Sequence, residues 1–72
     1  MKDEALITSV GRNIRKAREA KGLSLRAFSA SIGIDYASLS KLERGLIDPR
    51  VSTVLRIGDA LGMTFEELFK EQ

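Results

Sequence analysis

Hydrophobic residues recur at helical spacing along the chain, and glycines interrupt the pattern at four places. In the first stretch the apolar residues follow one another at steps of three and four, which places them on one helix face. They are Ile7, Val10, Ile14 and Ala17. A glycine directly after such a stretch is typical of a helix end, because glycine readily adopts the left-handed backbone that closes a helix. The glycines at these ends are Gly22, Gly33, Gly45 and Gly62.

Capping residues indicate where the helices begin. Asp48 suits the N-cap of the fourth helix, with Pro49 at its first helical position. Thr64 and Glu67 form a capping box before the fifth helix. Favourable N-caps for the second and third helices are Ser24 and Asp35. The predicted helices cover residues 4–20, 25–31, 36–44, 49–61 and 65–71.

The apolar faces of these helices form the predicted core. Besides the face of the first helix, the inward residues are Leu25, Phe28 and Ile32, then Leu39 and Leu42, and then Val51, Val54, Ile57, Gly58 and Leu61. No window alternates between apolar and polar residues as a half-buried strand would, and no repeat or low-complexity linker is visible. The sequence therefore predicts an all-α fold, a compact five-helix domain spanning residues 1–72.

Composition excludes several classes of protein. The 72 residues are 43% hydrophobic and 31% charged, which is typical of one globular domain. The absence of Cys and His excludes disulfides, Cys/His zinc sites, haem ligation, Cys nucleophiles and His bases. No Gly-rich phosphate loop or carboxylate pair replaces them, so we expect neither an enzyme nor a cofactor. No uncharged run approaches the roughly 18 residues that cross a bilayer, and the acidic start is unlike a secretory signal, so we expect a cytoplasmic protein without membrane contact.

Charge is distributed unevenly within the net charge of +2. Residues 1–22 carry six basic and three acidic side chains, whereas residues 51–72 carry two basic and four acidic ones. A basic N-terminal segment and an acidic C-terminal segment suit a molecule that presents one face to a polyanion. The alternative is ordinary solvated surface charge.

The second and third helices meet at Gly33-Ile34-Asp35, and this short turn predicts a helix-turn-helix over residues 25–44. The segments around it occur in a characteristic order: Ile14-Arg15-Lys16-Ala17-Arg18, Lys21-Gly22-Leu23-Ser24, Phe28-Ser29, Leu39-Ser40-Lys41-Leu42-Glu43-Arg44-Gly45, Pro49, Val54, Ile57 and Ala60-Leu61-Gly62. In this order and spacing the chain resembles the lambda-repressor-like (Cro-like, XRE) family of DNA-binding domains over about residues 10–69, including small regulators such as restriction-modification controller proteins.

The resemblance implies a sequence-specific transcriptional regulator that binds duplex DNA. In that family the second helix lies across the phosphate backbone and the third enters the major groove. Small members bind palindromic operators as homodimers, and RNA polymerase is a further candidate partner. The alternative is a protein-interaction adaptor, antitoxin-like or co-activator-like, on the same fold without DNA reading.

The resemblance also implies roles for individual residues. The base readers fall on Tyr36, Ala37, Ser40 and Lys41. The phosphate contacts fall on Ser24, Leu25, Arg26, Ser38, Arg44 and Arg50. Lys41 is the strongest base reader, because its ammonium can reach guanine O6 or N7, although a phosphate contact or a solvated side chain is the alternative. Leu46 and Ile47 depart from the pattern, since relatives often carry basic residues there.

Two further groups have structural roles. Arg18 and Glu43 match an enclosed salt bridge of the family, and the alternative is a surface Glu43 with a DNA-facing Arg18. Surplus apolar residues within 55–69, beside an acidic surface, predict a dimerisation region. They are Leu55, Met63, Phe65 and Phe69. The alternative is that the two phenylalanines belong to the monomer core. The sequence favours this alternative less for Phe69 than for Phe65.

Overall fold

The computed structural model describes residues 3–71 and contains five α-helices in this part of the chain. They are α1 (Glu4–Ala20), α2 (Leu25–Ile32), α3 (Tyr36–Glu43), α4 (Val51–Ala60) and α5 (Phe65–Phe69). No strand occurs within residues 3–71. The predicted all-α fold is confirmed, with α2 and α3 as the two helices of the helix-turn-helix. Three of the predicted C-termini were too long, since α3 and α4 each end one residue earlier and α5 two residues earlier, whereas α2 extends one residue further than predicted.

The predicted caps of α2, α3 and α5 are present. Ser24 Oγ accepts from the Ala27 N–H at 3.0 Å, and Asp35 Oδ2 accepts from the Ser38 N–H at 3.1 Å. The capping box joins the Thr64 N–H to Glu67 Oε1 at 2.8 Å, and its hydrogen bonds lower the pKa of Glu67. The four predicted end glycines all have positive φ, between 67° and 72°. The cap hydrogen bonds join residues only three positions apart along the chain, so residue type and spacing in the sequence were enough to predict them.

The predicted start of α4 was wrong. Pro49 is buried and lies outside the helix, and Arg50 at the N-cap has extended backbone without a side-chain cap bond. Asp48 therefore does not cap this helix. Val51 becomes its first residue and is 45% exposed, so it does not belong to the buried face to which it was assigned. Burial of the proline ring outweighs its local preference for the first helical position.

The helices enclose a buried apolar cluster. It consists of Val10, Ile14, Phe28, Leu39, Leu42, Val54, Ile57, Leu61 and Leu68. The helix α1 packs against both α3 and α5. Gly11 permits the contact with α3, because a Cβ there would lie 2.5 Å from the Leu42 carbonyl oxygen. Asn13 secures the other contact, since its Nδ2 donates to the carbonyls of Leu68 at 3.0 Å and Lys70 at 2.8 Å. The helical spacing alone had not indicated a role for Asn13.

Candidate nucleic-acid interface

The outward face of α3 carries Ala37, Lys41 and Arg44 at steps of four and three residues, which align along a helix. All three residues are exposed. The opposite face carries Leu39, Leu42 and Glu43, which are buried. The core contacts therefore fix which side of α3 points outward, and two of the four predicted base readers, Ala37 and Lys41, lie on that side.

The other two predicted base readers lie on the flank of α3. Ser40 is half-buried and lines a shallow groove together with Arg15, Leu25 and Arg44. Arg15 had not been expected on this side of the molecule, and its position depends on how α1 crosses the helix-turn-helix. The side chain of Arg15 also pairs with Glu19 at 3.4 Å on the solvent-exposed surface.

Tyr36, the remaining predicted base reader, is 43% exposed and lies against Arg26, one of the residues predicted to bind phosphate. The guanidinium carbon of Arg26 lies 4.6 Å from the centre of the Tyr36 ring, which is a cation–π arrangement. The pair joins the second residue of α2 to the first residue of α3. Sequence spacing did not indicate this contact, because ten residues and a turn separate the two side chains.

The predicted phosphate contacts lie mainly at helix ends. Ser24 and Leu25 are at the start of α2, and the Ser38 hydroxyl donates to its neighbour Asp35 Oδ2 at 3.4 Å. Arg44 follows the last residue of α3, and its Nε donates to the Ser40 carbonyl at 3.3 Å. Arg50 is exposed at the N-cap of α4. The unpaired backbone N–H groups of a helix N-terminus favour an anion such as phosphate, which agrees with the placement of Ser24 and Leu25.

Arg18 and Glu43 form the enclosed ion pair that the resemblance implied. Arg18 Nε donates to Glu43 Oε2 at 2.8 Å, and Nη2 donates to Oε1 at 3.0 Å. The third guanidinium nitrogen, Nη1, donates to the Leu23 carbonyl at 2.5 Å. Only 9% and 4% of the two side chains are exposed. The hydrogen bonds to Glu43 raise the pKa of Arg18 against the opposing effect of burial, so Arg18 stays charged and links α1 to the end of α3.

The predicted dimerisation residues divide into two groups by exposure. Phe65 is 65% exposed and Leu55 is 42% exposed, whereas Met63 and Phe69 are half-buried and pack against the core. The rings of Phe65 and Phe69 lie 4.5 Å apart, centre to centre. Phe69 was expected to be the more exposed of the two phenylalanines, and the structure reverses that order. Val51, one helical turn before Leu55, adds to the exposed apolar surface.

Within residues 3–71, no helix has the length and hydrophobicity of a membrane span. The same residues contain no cluster of acidic side chains arranged to hold a metal ion.

Comparison with known proteins identifies the class. The helix-turn-helix family model HTH_3 matches residues 14–68, and the chain belongs to this family. Its members among the relatives are helix-turn-helix transcriptional regulators, so the chain carries the DNA-binding fold of such regulators. The prediction that the chain is not an enzyme is confirmed by this membership.

Individual relatives agree with this assignment. The HTH-type transcriptional regulator y4dJ of Sinorhizobium fredii is 39% identical over 59 residues, which cover 82% of this chain and 77% of that protein. The HTH-type transcriptional regulator PuuR of Escherichia coli is 28% identical over 71 residues, and this chain spans only 37% of it. The controller protein C.AhdI of Aeromonas hydrophila has a similar structure, with a TM-score of 0.79 and 30% identity over 88% of this chain and 96% of its own.

Proposed function

We propose that the protein binds a palindromic DNA operator as a homodimer, with α3 of each subunit in the major groove, and thereby regulates transcription. The observation that carries the proposal is the charge of the exposed face of α3. Glu43 is the one acidic residue of Tyr36–Glu43, and its carboxylate is buried in the ion pair with Arg18. The exposed side therefore combines neutral residues with Lys41 and Arg44, as a surface that approaches phosphates and base edges requires.

An adaptor without DNA reading has no comparable support. A helix that docks on a protein typically presents an apolar stripe, whereas the outward stripe of α3 is Ala37, Lys41 and Arg44. The N-termini of α2 and α3, with Ser24, Leu25 and Ser38, supply the phosphate contacts in this proposal, together with Arg44 and Arg50. A regulator of this kind acts where its DNA is, so we propose a cytoplasmic location.

The proposed dimer surface consists of Leu55, Phe65 and the half-buried Met63 and Phe69, extended by Val51. Exposed apolar side chains of this size, grouped on α4 and α5, are typically covered by a partner. Glu66 and Glu67 flank Phe65 and give this side a negative charge, which disfavours DNA contact there. Self-association through this surface leaves both α3 helices free to bind DNA.

The first prediction concerns the operator. Because each subunit offers one reading helix, the two half-sites should lie about one turn, roughly 10 base pairs, apart. Selection of bound fragments from random duplex DNA should return an inverted repeat with that spacing. Binding to a lone half-site as tight as to the full operator, at equal salt, would contradict the dimeric mode. No retention of any duplex even at low salt would favour the adaptor.

The second prediction separates two roles on α3. Lys41→Ala should relax the preference at one or two base positions, at a cost of about 1–3 kcal/mol of binding free energy. Arg44→Ala should instead weaken binding to all sequences alike, because a phosphate contact is lost. The slope of the logarithm of the binding constant against the logarithm of the salt concentration should become about one unit less steep. Titration of operator and mismatched duplexes at several salt concentrations measures both effects. The same uniform loss in both variants would remove Lys41 from the base readers.

A further inference from the structure

The Arg26 guanidinium lies over the ring of Tyr36, so a charge that belongs to α2 is held at the first residue of α3. Tyr36 is 43% exposed, and Arg26 is also exposed. The pair therefore lies on the surface where the two helices of the helix-turn-helix approach each other, beside the outward face of α3.

Arg26 differs from other arginines of this region in what its N–H groups contact. Arg18 is fully engaged with Glu43 and Leu23, and the Arg44 guanidinium donates to the Ser40 carbonyl. Within residues 3–71, no hydrogen bond or ion pair involves the Arg26 guanidinium. A cation–π contact uses no hydrogen-bond acceptor, so the N–H groups of the guanidinium remain able to donate to another acceptor.

A guanidinium edge recognises two acceptors side by side, which DNA presents in two places. Guanine offers O6 and N7 in the major groove, and a phosphate offers two oxygens on the backbone. The second residue of α2, taken by itself, would be placed at the backbone. The contact with Tyr36 instead holds the guanidinium at the N-terminal end of α3, where helix-turn-helix docking places base edges.

We propose that Arg26 selects a guanine within each half-site, and that Tyr36 is the positioning residue that holds its guanidinium there. The assignment rests on the proposed function, because it requires α3 to lie in the major groove. It changes the role of Arg26 from a phosphate contact to a base reader. It also changes the role of Tyr36 from a base reader to a residue whose ring acts on DNA through Arg26.

The test uses the operator selected by the wild-type protein and duplexes that replace each of its guanines in turn. Arg26→Lys keeps the charge but removes the planar fork, and should reduce the preference for guanine at one position of each half-site about tenfold. Binding to random duplex should stay within about twofold, since the charge that attracts phosphates is retained.

Variants of Tyr36 test the positioning role. Tyr36→Leu keeps apolar bulk but removes the ring, and should reduce the preference at the same base position by about two- to fivefold. Tyr36→Phe is the matched control, because it keeps the ring and should leave the preference unchanged. In the Arg26→Lys background, Tyr36→Leu should add less than a twofold further change, because both variants affect one contact.

Several results would overturn the inference. An equal loss on all duplexes for Arg26→Lys would make Arg26 a phosphate contact. A loss for Tyr36→Phe as large as for Tyr36→Leu would mean that the hydroxyl itself contacts DNA. Failure of the wild-type protein to select any sequence would refute the proposed function, whereas selection with an unchanged guanine preference in Arg26→Lys would refute this inference alone. Far-ultraviolet circular dichroism confirms that each variant is folded.

Discussion

Glu43→Leu is expected to lower the free energy of unfolding by about 3–5 kcal/mol, because it leaves the charge of Arg18 buried without its partner. The guanidinium loses two hydrogen bonds, of 2.8 and 3.0 Å, and only 9% of its side chain is exposed to solvent that could replace them. A domain of 72 residues has a total stability of about 4–11 kcal/mol, so this one change removes a large part of it. Urea denaturation followed by circular dichroism measures the loss.

Two controls separate the buried charge from other effects. The double variant Arg18→Met/Glu43→Leu removes both charges and should recover most of the stability, because no unpaired ion remains. Glu19→Gln breaks the exposed pair with Arg15, whose side chains are 59% and 54% exposed, and should cost less than about 1 kcal/mol. A cost for Glu43→Leu as small as that for Glu19→Gln would show that the ion pair contributes little to the fold.

Phe65→Asp is expected to produce a folded monomer whose operator affinity is about 100-fold lower or more. Phe65 is 65% exposed in the monomer, so a carboxylate there costs little folding energy but is strongly unfavourable in an apolar interface. Each half-site must then be bound by a separate subunit, without the gain from two linked contacts. Sedimentation, circular dichroism and operator titration on this variant measure association, folding and binding separately.

The structure provides matched controls for this experiment. Leu46 is 61% exposed in the loop before α4, so Leu46→Asp introduces the same charge at similar exposure outside the proposed surface. It should leave the dimer intact. Phe69 packs partly against the core, so Phe69→Asp should lower stability as well as association. A dimer that survives Phe65→Asp but is lost in Leu46→Asp would move the interface to the loop.

Local features of the fold were predictable from the sequence. The starts of α2, α3 and α5 depend on Ser24, Asp35 and Thr64, whose side chains bond to backbone N–H groups three residues away. Because these contacts form between residues close together in the sequence, residue type and spacing were enough to predict them. The order of motifs through the helix-turn-helix likewise indicated the family, and with it the enclosed pair of Arg18 and Glu43.

Features that depend on contacts distant in sequence required the structure. The start of α4 follows from the burial of Pro49, and Asn13 acts on carbonyls more than 50 residues away. The position of the Arg26 guanidinium over the ring of Tyr36 depends on how α2 and α3 meet across their turn.

The sequence by itself determined that the chain forms five helices, where α2, α3 and α5 begin, and the class of protein, because these depend on contacts within one turn of a helix and on the linear order of motifs. Tertiary structure alone decided that Phe65 is more exposed than Phe69, because both fit the same apolar pattern four residues apart. Which of the two faces solvent depends on the angle at which α5 packs against α1 and α4. Helical periodicity assigns residues to a face, but the neighbouring helices determine how much of that face is covered.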